Sequence, residues 1–267
     1  MKIARAPHRW RLTPAQAIAV QRRLAAQVRV QRPRGPIRLV AGVDCAFSED
    51  GQHCLAAAVL WDLERQRVIE ARCASRPLHF PYVPGLLSFR EAPAILAVLR
   101  ALRRAPDAIL CDGHGLAHPR RFGIACHVGL LCGVPTLGVA KSRLVGEHRA
   151  PGPRRGDRAP LRDAGERIGS VLRTRDRAKP VYVSVGHLLD LDSAERIALA
   201  ADAGFRLPEP ARLADLAVAA YKRRRRGAPP AQTPCLTRPP RAARAESDPA
   251  PASRSRRPSH PCSSPRD

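Results

Sequence analysis

Several things are missing from this chain of 267 residues, and each absence excludes a class of protein. The eight cysteines (Cys45, Cys54, Cys73, Cys111, Cys126, Cys132, Cys235 and Cys262) include no C-x-x-C pair, so a zinc ribbon has no support. No apolar run reaches the roughly 20 residues that a membrane span needs. The first ten residues carry charge but no apolar core, so they do not read as a secretory leader. No internal repeat points to a solenoid or propeller. Several cysteines fall inside apolar runs, where a free thiol serves as a small hydrophobe, and a reducing cytoplasm is the simplest setting. Acidic residues are also scarce: 23 Asp and Glu stand against 47 Lys and Arg, for a net charge of +24. That imbalance favours a polyanionic partner, and nucleic acid ahead of a membrane surface. Arg-, Ala- and Pro-rich coding bias is the plain alternative.

The body alternates strand and helix patterns. Thr13-Pro14 gives an N-cap followed by proline at the first helical position. Ala17, Val20, Leu24 and Val28 continue at helical spacing to about residue 30. Three strand-like runs follow at 38–47, 54–62 and 67–74, joined by short connections that imply an antiparallel meander. After a proline-rich loop at 79–85, Ile95, Leu96, Leu99 and Leu102 share one helical face. A short buried strand at 108–112, a helix near 121–132 and a strand at 135–140 come next. Residues 146–166 are polar and read as a surface loop. Strands at 168–174 and 180–185 and helices at 193–203 and 211–221 complete the body. From Lys222 the chain is Arg, Pro, Ala and Ser, a composition expected of a disordered basic tail spanning 222–267. The fold expected for 1–221 is α/β: a mixed sheet, three antiparallel strands and then αβαβ, flanked by helices. That is the order of a ribonuclease H-like fold.

Three carboxylates occupy unusual places. Asp44 lies inside an apolar strand, Asp112 ends another and opens the turn Asp112-Gly113-His114-Gly115, and Glu91 lies where a loop enters a helix. A carboxylate in an apolar strand is costly unless paired, hydrogen-bonded or metal-bound. If the strands of Asp44 and Asp112 are neighbours, both groups converge on one point. Their hard oxygen donors suit Mg²⁺ or Mn²⁺, and such ions can activate water against a phosphodiester. The plain readings are a solvent-facing Asp44, a turn-forming Asp112 and a capping box at Ser88-x-x-Glu91. A cap at Ser88 would put Pro93 beyond the first helical turn, where proline clashes, so the helix is expected to begin near Glu91.

Lys141 directly follows an apolar strand, where its ammonium can hold a phosphate or simply be solvated. His118, Arg120 and Arg121 precede a helix start and offer a phosphate anchor, with ordinary surface charge as the alternative. Tyr82 lies between Pro81 and Pro84 on a stiff loop that can wedge into a base stack or pack back on the core. His114 and His187 are potential ligands, though lone histidines more often make local hydrogen bonds.

Taken together these segments resemble endonuclease V. The match runs from about Leu39 to Ala219 through VDCAF at 43–47, PYVPGLLSFRE at 81–91, DGHGLAHPRR at 112–121, GVAKS at 138–142, VSVGH at 183–187 and RLPEP at 206–210, followed by Asp215. The resemblance implies a ribonuclease H-like fold and dependence on Mg²⁺, with Mn²⁺ able to substitute. It implies hydrolysis of the second phosphodiester bond 3′ to a deaminated base, chiefly hypoxanthine in deoxyinosine, leaving a 3′-hydroxyl and a 5′-phosphate. It places Asp44 and Asp112 as metal ligands with Glu91 beside them, Asp215 at the metal through water, and Lys141 at the phosphate. It makes residues 81–84 a strand-separating wedge, and Gly85, Leu87, Gly113, Gly123 and Ile124 the pocket for the extruded base. The expected partner is deoxyinosine-containing DNA, or inosine-containing RNA, acted on by a monomer in the cytoplasm. A different ribonuclease H-like nuclease needs no base pocket. A noncatalytic binder would show gaps in the acidic set, which is complete here.

Overall fold

The computed structural model describes residue 1 and residues 3–225. Helix α1 (Pro14–Ala25) opens on a capping box: Thr13 accepts from the Gln16 amide, and the Gln16 side chain accepts from the Thr13 amide. Such a cap stabilises a helix by about 0.5–2 kcal/mol. The helix ends at Ala25, short of the expected residue 30, and Val28 packs against the core from beyond its end.

Strands β1 (Leu39–Phe47), β2 (His53–Asp62) and β3 (Arg67–Pro77) form the expected antiparallel meander. Helix α2 (Leu87–Arg100) then leads to β4 (Ala108–Asp112), α3 (Ile124–Cys132) and β5 (Thr136–Ala140). β6 (Arg158–Asp163), β7 (Glu166–Leu172), β8 (Val181–His187), α4 (Leu191–Ala200) and α5 (Glu209–Arg224) follow. All eight strands form one mixed sheet in the order β3-β2-β1-β4-β5-β8-β7-β6. β1, β4 and β5 run parallel, and the flanking pairs are antiparallel.

The core follows the period-2 alternation of β2. Ala56, Ala58 and Leu60 face the layer of α2 and α3, while Leu55, Ala57, Val59 and Trp61 face α5. A strand so rich in alanine lets helices come close on both faces. β1 is thinned further at Gly42, where a Cβ would lie 2.2 Å from the backbone of Pro210. Only glycine admits α5 at that distance, and this close approach fixes how α5 lies over β1.

Four expectations are corrected. The segment 146–166 is not all loop, since β6 occupies 158–163 at the sheet edge. It alternates exposed and buried residues, with Ala159 and Leu161 turned inward, and an edge strand tolerates Pro160. It reaches β7 through a two-residue turn with positive φ at Ala164 and Gly165, the geometry that suits a tight hairpin. Helix α2 begins at Leu87, not near Glu91, and carries Pro93 inside it. Burial of Ser88, Phe89, Ala92 and the run 94–99 outweighs the hydrogen bond that proline removes. Helix α3 starts at Ile124, not 121, because Arg121 adopts φ +52° and Gly123 becomes the N-cap. Finally, α5 continues through Lys222, Arg223 and Arg224, past the expected boundary at 221. The rest of the expected basic tail, 226–267, lies outside the described residues.

Candidate active site

The parallel pairing of β1 with β4 sets Val43 against Cys111, so the next residues, Asp44 and Asp112, come level at the ends of neighbouring strands. Both share the strand parity of residues that pack toward α4 and α5, on the face from which α5 brings Asp215. Glu91 arrives from α2 in the opposite helical layer, at the same end of the strands.

These groups feel one another strongly. Burial and then the charge of Asp112 push the Asp44 carboxyl up to about 7, with a further push from Asp215. The Cys45 amide and Lys141 oppose the rise. Burial, Asp44 and Asp112 push Glu91 up to about 8. Carboxylates crowded into a poorly solvated site repel one another, and a cation is what relieves them. Lys141 supplies one: its Nζ lies 2.7 Å from Asp112 Oδ2. Burial opposes the Lys141 charge, but the hydrogen bond to Asp112 and the charges of Asp112, Asp44 and Asp215 hold its pKa above the ordinary lysine value. Arg206 donates from Nη2 to the Lys141 carbonyl at 2.6 Å and to Pro180 at 3.0 Å, pinning the backbone from which the ammonium projects.

One lysine against this acidic set leaves room for further positive charge, and carboxylate oxygens are hard donors that fit a divalent cation. Among the described residues no group of three or more His, Cys, Asp or Glu side chains forms a ready-made metal cage. Magnesium does not require one, because it binds through one or two carboxylates and keeps several waters. His114 and His187 have local duties. The His114 ring lies 3.1 Å from the Ser142 carbonyl, and His187 Nδ1 accepts from the Arg29 amide.

A cavity of about 370 Å³ adjoins the acidic site and shares Asp112 and Lys141 with it. Tyr82, Gly85, Leu87, Gly113, His118, Gly123 and Ile124, all anticipated from the sequence, line it. Tyr82 is 71% exposed at the mouth, so it does not pack back on the core. Burial depresses His114 and His118 to about 4, so both imidazoles are neutral near pH 7. His118 Nδ1 accepts from the Arg120 amide, which leaves Nε2–H to donate to the Gly85 carbonyl at 2.9 Å. Helices α2 and α3 both begin at this cavity without a side-chain cap; the Phe89 and Ala125 amides go to the Leu86 and His114 carbonyls, which leaves the Leu87 and Ile124 amides at the cavity wall.

Arg120 and Arg121 do not line the cavity. Arg120 donates to Gln21 Oε1 and to the Gly85 carbonyl, and Arg121 pairs with Asp163 and Glu166 beside the β6–β7 turn. The two guanidiniums brace loops from behind the site. Sequence reasoning missed Gln21, Ser142, Arg143 and Leu144, which also line the cavity. Gln21 had a signal: Ala17, Val20, Gln21 and Leu24 form the buried stripe of α1, with a polar residue at an apolar position.

This geometry, an acidic cluster with its lysine at the strand ends of a ribonuclease H-like sheet, defines a phosphodiester-cutting nuclease. A model of the Endonuclease V family matches residues 22–216. An endonuclease V of Roseiflexus sp. (strain RS-1) is 49% identical over 206 residues, 77% of this chain and 92% of that protein. That of Azotobacter vinelandii is 49% identical over 206 residues, again 77% of this chain, and 93% of its own. The crystal structure of endonuclease V from Streptomyces avermitilis superposes with a TM-score of 0.78 at 43% identity, covering 84% of this chain and 99% of that one. The catalytic domain of human endonuclease V gives 0.74 at 34% identity, covering 80% and 98%. The chain belongs to the endonuclease V family, and is an endonuclease of that metal-dependent class.

Proposed function

We propose that this endonuclease cuts a nucleic-acid strand at the second phosphodiester bond 3′ to a deaminated base, with hypoxanthine in deoxyinosine as its principal target, in the cytoplasm. The observation that carries the proposal is the adjacency of two sites: a partly apolar cavity and an acidic centre that share Asp112 and Lys141. A cavity of about 370 Å³ lies at the small end of the roughly 300–1,000 Å³ range of ligand sites, a size suited to one extruded base. The uncapped starts of α2 and α3 provide donors for an acceptor-bearing base edge, while the neutral His114 and His118 give their ring N–H groups to the Ser142 and Gly85 carbonyls. Hypoxanthine carries a carbonyl oxygen where adenine carries an amine, so donors at that point favour the deaminated base. An endonuclease V of Ciona intestinalis has been crystallised with a 23mer DNA containing an inosine; at 22% identity its likeness to this chain is one of fold.

In this reading Asp44 and Asp112 would hold Mg²⁺, for which Mn²⁺ could substitute, with Glu91 and Asp215 beside them; the bound ion would supply an activated water and neutralise charge on the phosphate. Lys141 draws the scissile phosphate against Asp112, and Tyr82 enters the stack from which the base has been withdrawn. Asp44→Ala or Asp112→Ala should abolish metal-dependent cutting of a deoxyinosine strand while leaving the chain folded. Wild-type rates in either variant would overturn the assignment. An inosine-containing RNA strand is the alternative substrate, and a paired RNA assay decides between the sugars.

A further inference from the structure

Gln21 is the polar member of the buried stripe of α1, and only 1% of it is exposed. Its amide nitrogen has two hydrogens, and each goes to a different wall of the base cavity. Nε2 donates to the Gly85 carbonyl at 3.0 Å and to the Phe122 carbonyl at 3.0 Å. Its Oε1 accepts from Arg120 Nε at 2.6 Å. The amide cannot be turned over, because both carbonyls only accept and the guanidinium only donates. Gly85 leads into Leu87 at the start of α2, and Phe122 leads into Gly123 and Ile124 at the start of α3. One side chain therefore ties the two helix starts together.

The Gly85 end is held with particular firmness. Its carbonyl also receives His118 Nε2 at 2.9 Å and Arg120 Nη2 at 2.8 Å, so three donors converge on one oxygen. Gly85 has φ +77°, a conformation glycine adopts without strain, and a Cβ there would lie 2.9 Å from Arg120 Nη2. Val83, Pro84 and Gly85 all line the cavity, so the anchored oxygen is continuous with the loop that carries Tyr82.

We infer that Gln21 is a positioning residue for lesion recognition: it sets the separation between the α2 and α3 walls, and through it the fit of the cavity to a deaminated base. The inference rests on the proposed reading of the cavity. A wall displaced by about 1 Å leaves donors and acceptors of the bound base mismatched, and errors of that size cost up to about a hundredfold in rate. Gln21 needs no contact with the base to exert this control.

The test uses the full chain with Mg²⁺ and single-stranded oligonucleotides carrying one deoxyinosine or none. Gln21→Glu keeps the volume and the acceptor for Arg120 but has no N–H to give either wall. Gln21→Met keeps the volume and provides neither donor nor acceptor. Both variants are expected to keep wild-type helix content. For both, KM on the deoxyinosine strand should rise about tenfold while kcat changes by less than about threefold, and preference over the unmodified strand should fall about tenfold. Folded variants with unchanged preference would reduce Gln21 to an ordinary core residue. Unfolding of both variants would also overturn the inference, since it assigns Gln21 to the cavity walls and not to the survival of the fold. A wild-type chain that leaves the deoxyinosine strand uncut overturns the proposed activity, and this inference with it. Wild-type selectivity that persists in both variants overturns the inference alone.

Discussion

Asp44 and Glu91 carry the electrostatic tension of the acidic site. With no cation bound, burial and mutual repulsion hold Asp44 at about 7 and Glu91 at about 8, against ordinary values of 3.8 and 4.5. Their folded-state pKa values are raised, so the folded chain keeps protons that the unfolded chain releases. The sign follows: the contribution of these two groups is fully present below about pH 4 and is lost as pH rises toward about 8. Asp44→Asn removes its share of that loss. In EDTA the variant should have a higher Tm than wild type at pH 8, by about 2–4 °C for each kcal/mol relieved, and little difference at pH 4. Equal melting at both pH values would show that the carboxylates do not crowd one another. Lys141 lies against Asp112 at 2.7 Å, and the proposed reading assigns it to the scissile phosphate. Lys141→Ala should lower kcat about 100- to 1,000-fold, the usual cost of losing one charge-stabilising donor, and the circular dichroism spectrum should not change. Tyr82 is exposed at the cavity mouth, where the proposed reading assigns it to recognition. Tyr82→Ala should raise KM for the lesion strand about tenfold, in line with roughly 1–3 kcal/mol per stacked base. Undiminished binding of the lesion strand would remove the wedge.

At the scale of elements, the placement of the site depends on how closely helices approach the central strands. Gly42 admits the start of α5 against β1, and α5 carries Asp215. Gly42→Ala would drive a Cβ to 2.2 Å from Pro210 and force the helix outward. Overpacking of this kind costs about 1–3 kcal/mol, so thermal melting should show a clear drop, with reduced cutting as Asp215 moves. What was readable in the sequence divides along physical lines. The N-cap at Thr13 and the Asp44 and Asp112 strands were legible because caps and alternation are local. The start of α2 was not, because Pro93 argues locally for a later start and only the burial of Ser88 and Phe89 against the rest of the molecule overrides it. β6 was hidden by Pro160 and by the polar residues of an edge strand. The duties of Arg120 and Arg121 were also hidden, since their partners lie 99 residues away at Gln21 and across the sheet at Asp163 and Glu166. The converging carboxylates could be proposed from composition and spacing, while their level register required the pairing of β1 with β4.

The whole molecule is strongly basic, and its acidic residues include the few that matter at the site. Attraction to phosphate backbones brings the strand in without regard to sequence, and should weaken steeply as salt is added. In the proposed reading, selectivity then rests on the cavity. The family match ends at residue 216, so the arginine-rich stretch beyond Arg225 is outside it. A chain ending at Arg225 should keep lesion-dependent cutting while binding undamaged DNA more weakly at low salt. The central claim is tested most directly by cleavage of matched labelled strands: one deoxyinosine in DNA, one inosine in RNA, or neither, each with and without Mg²⁺. The account predicts cutting at the second phosphodiester 3′ of the deoxyinosine, only with metal, and none on the unmodified strand. Folded protein with Mg²⁺ or Mn²⁺ that cuts no strand in a lesion-dependent way would contradict it.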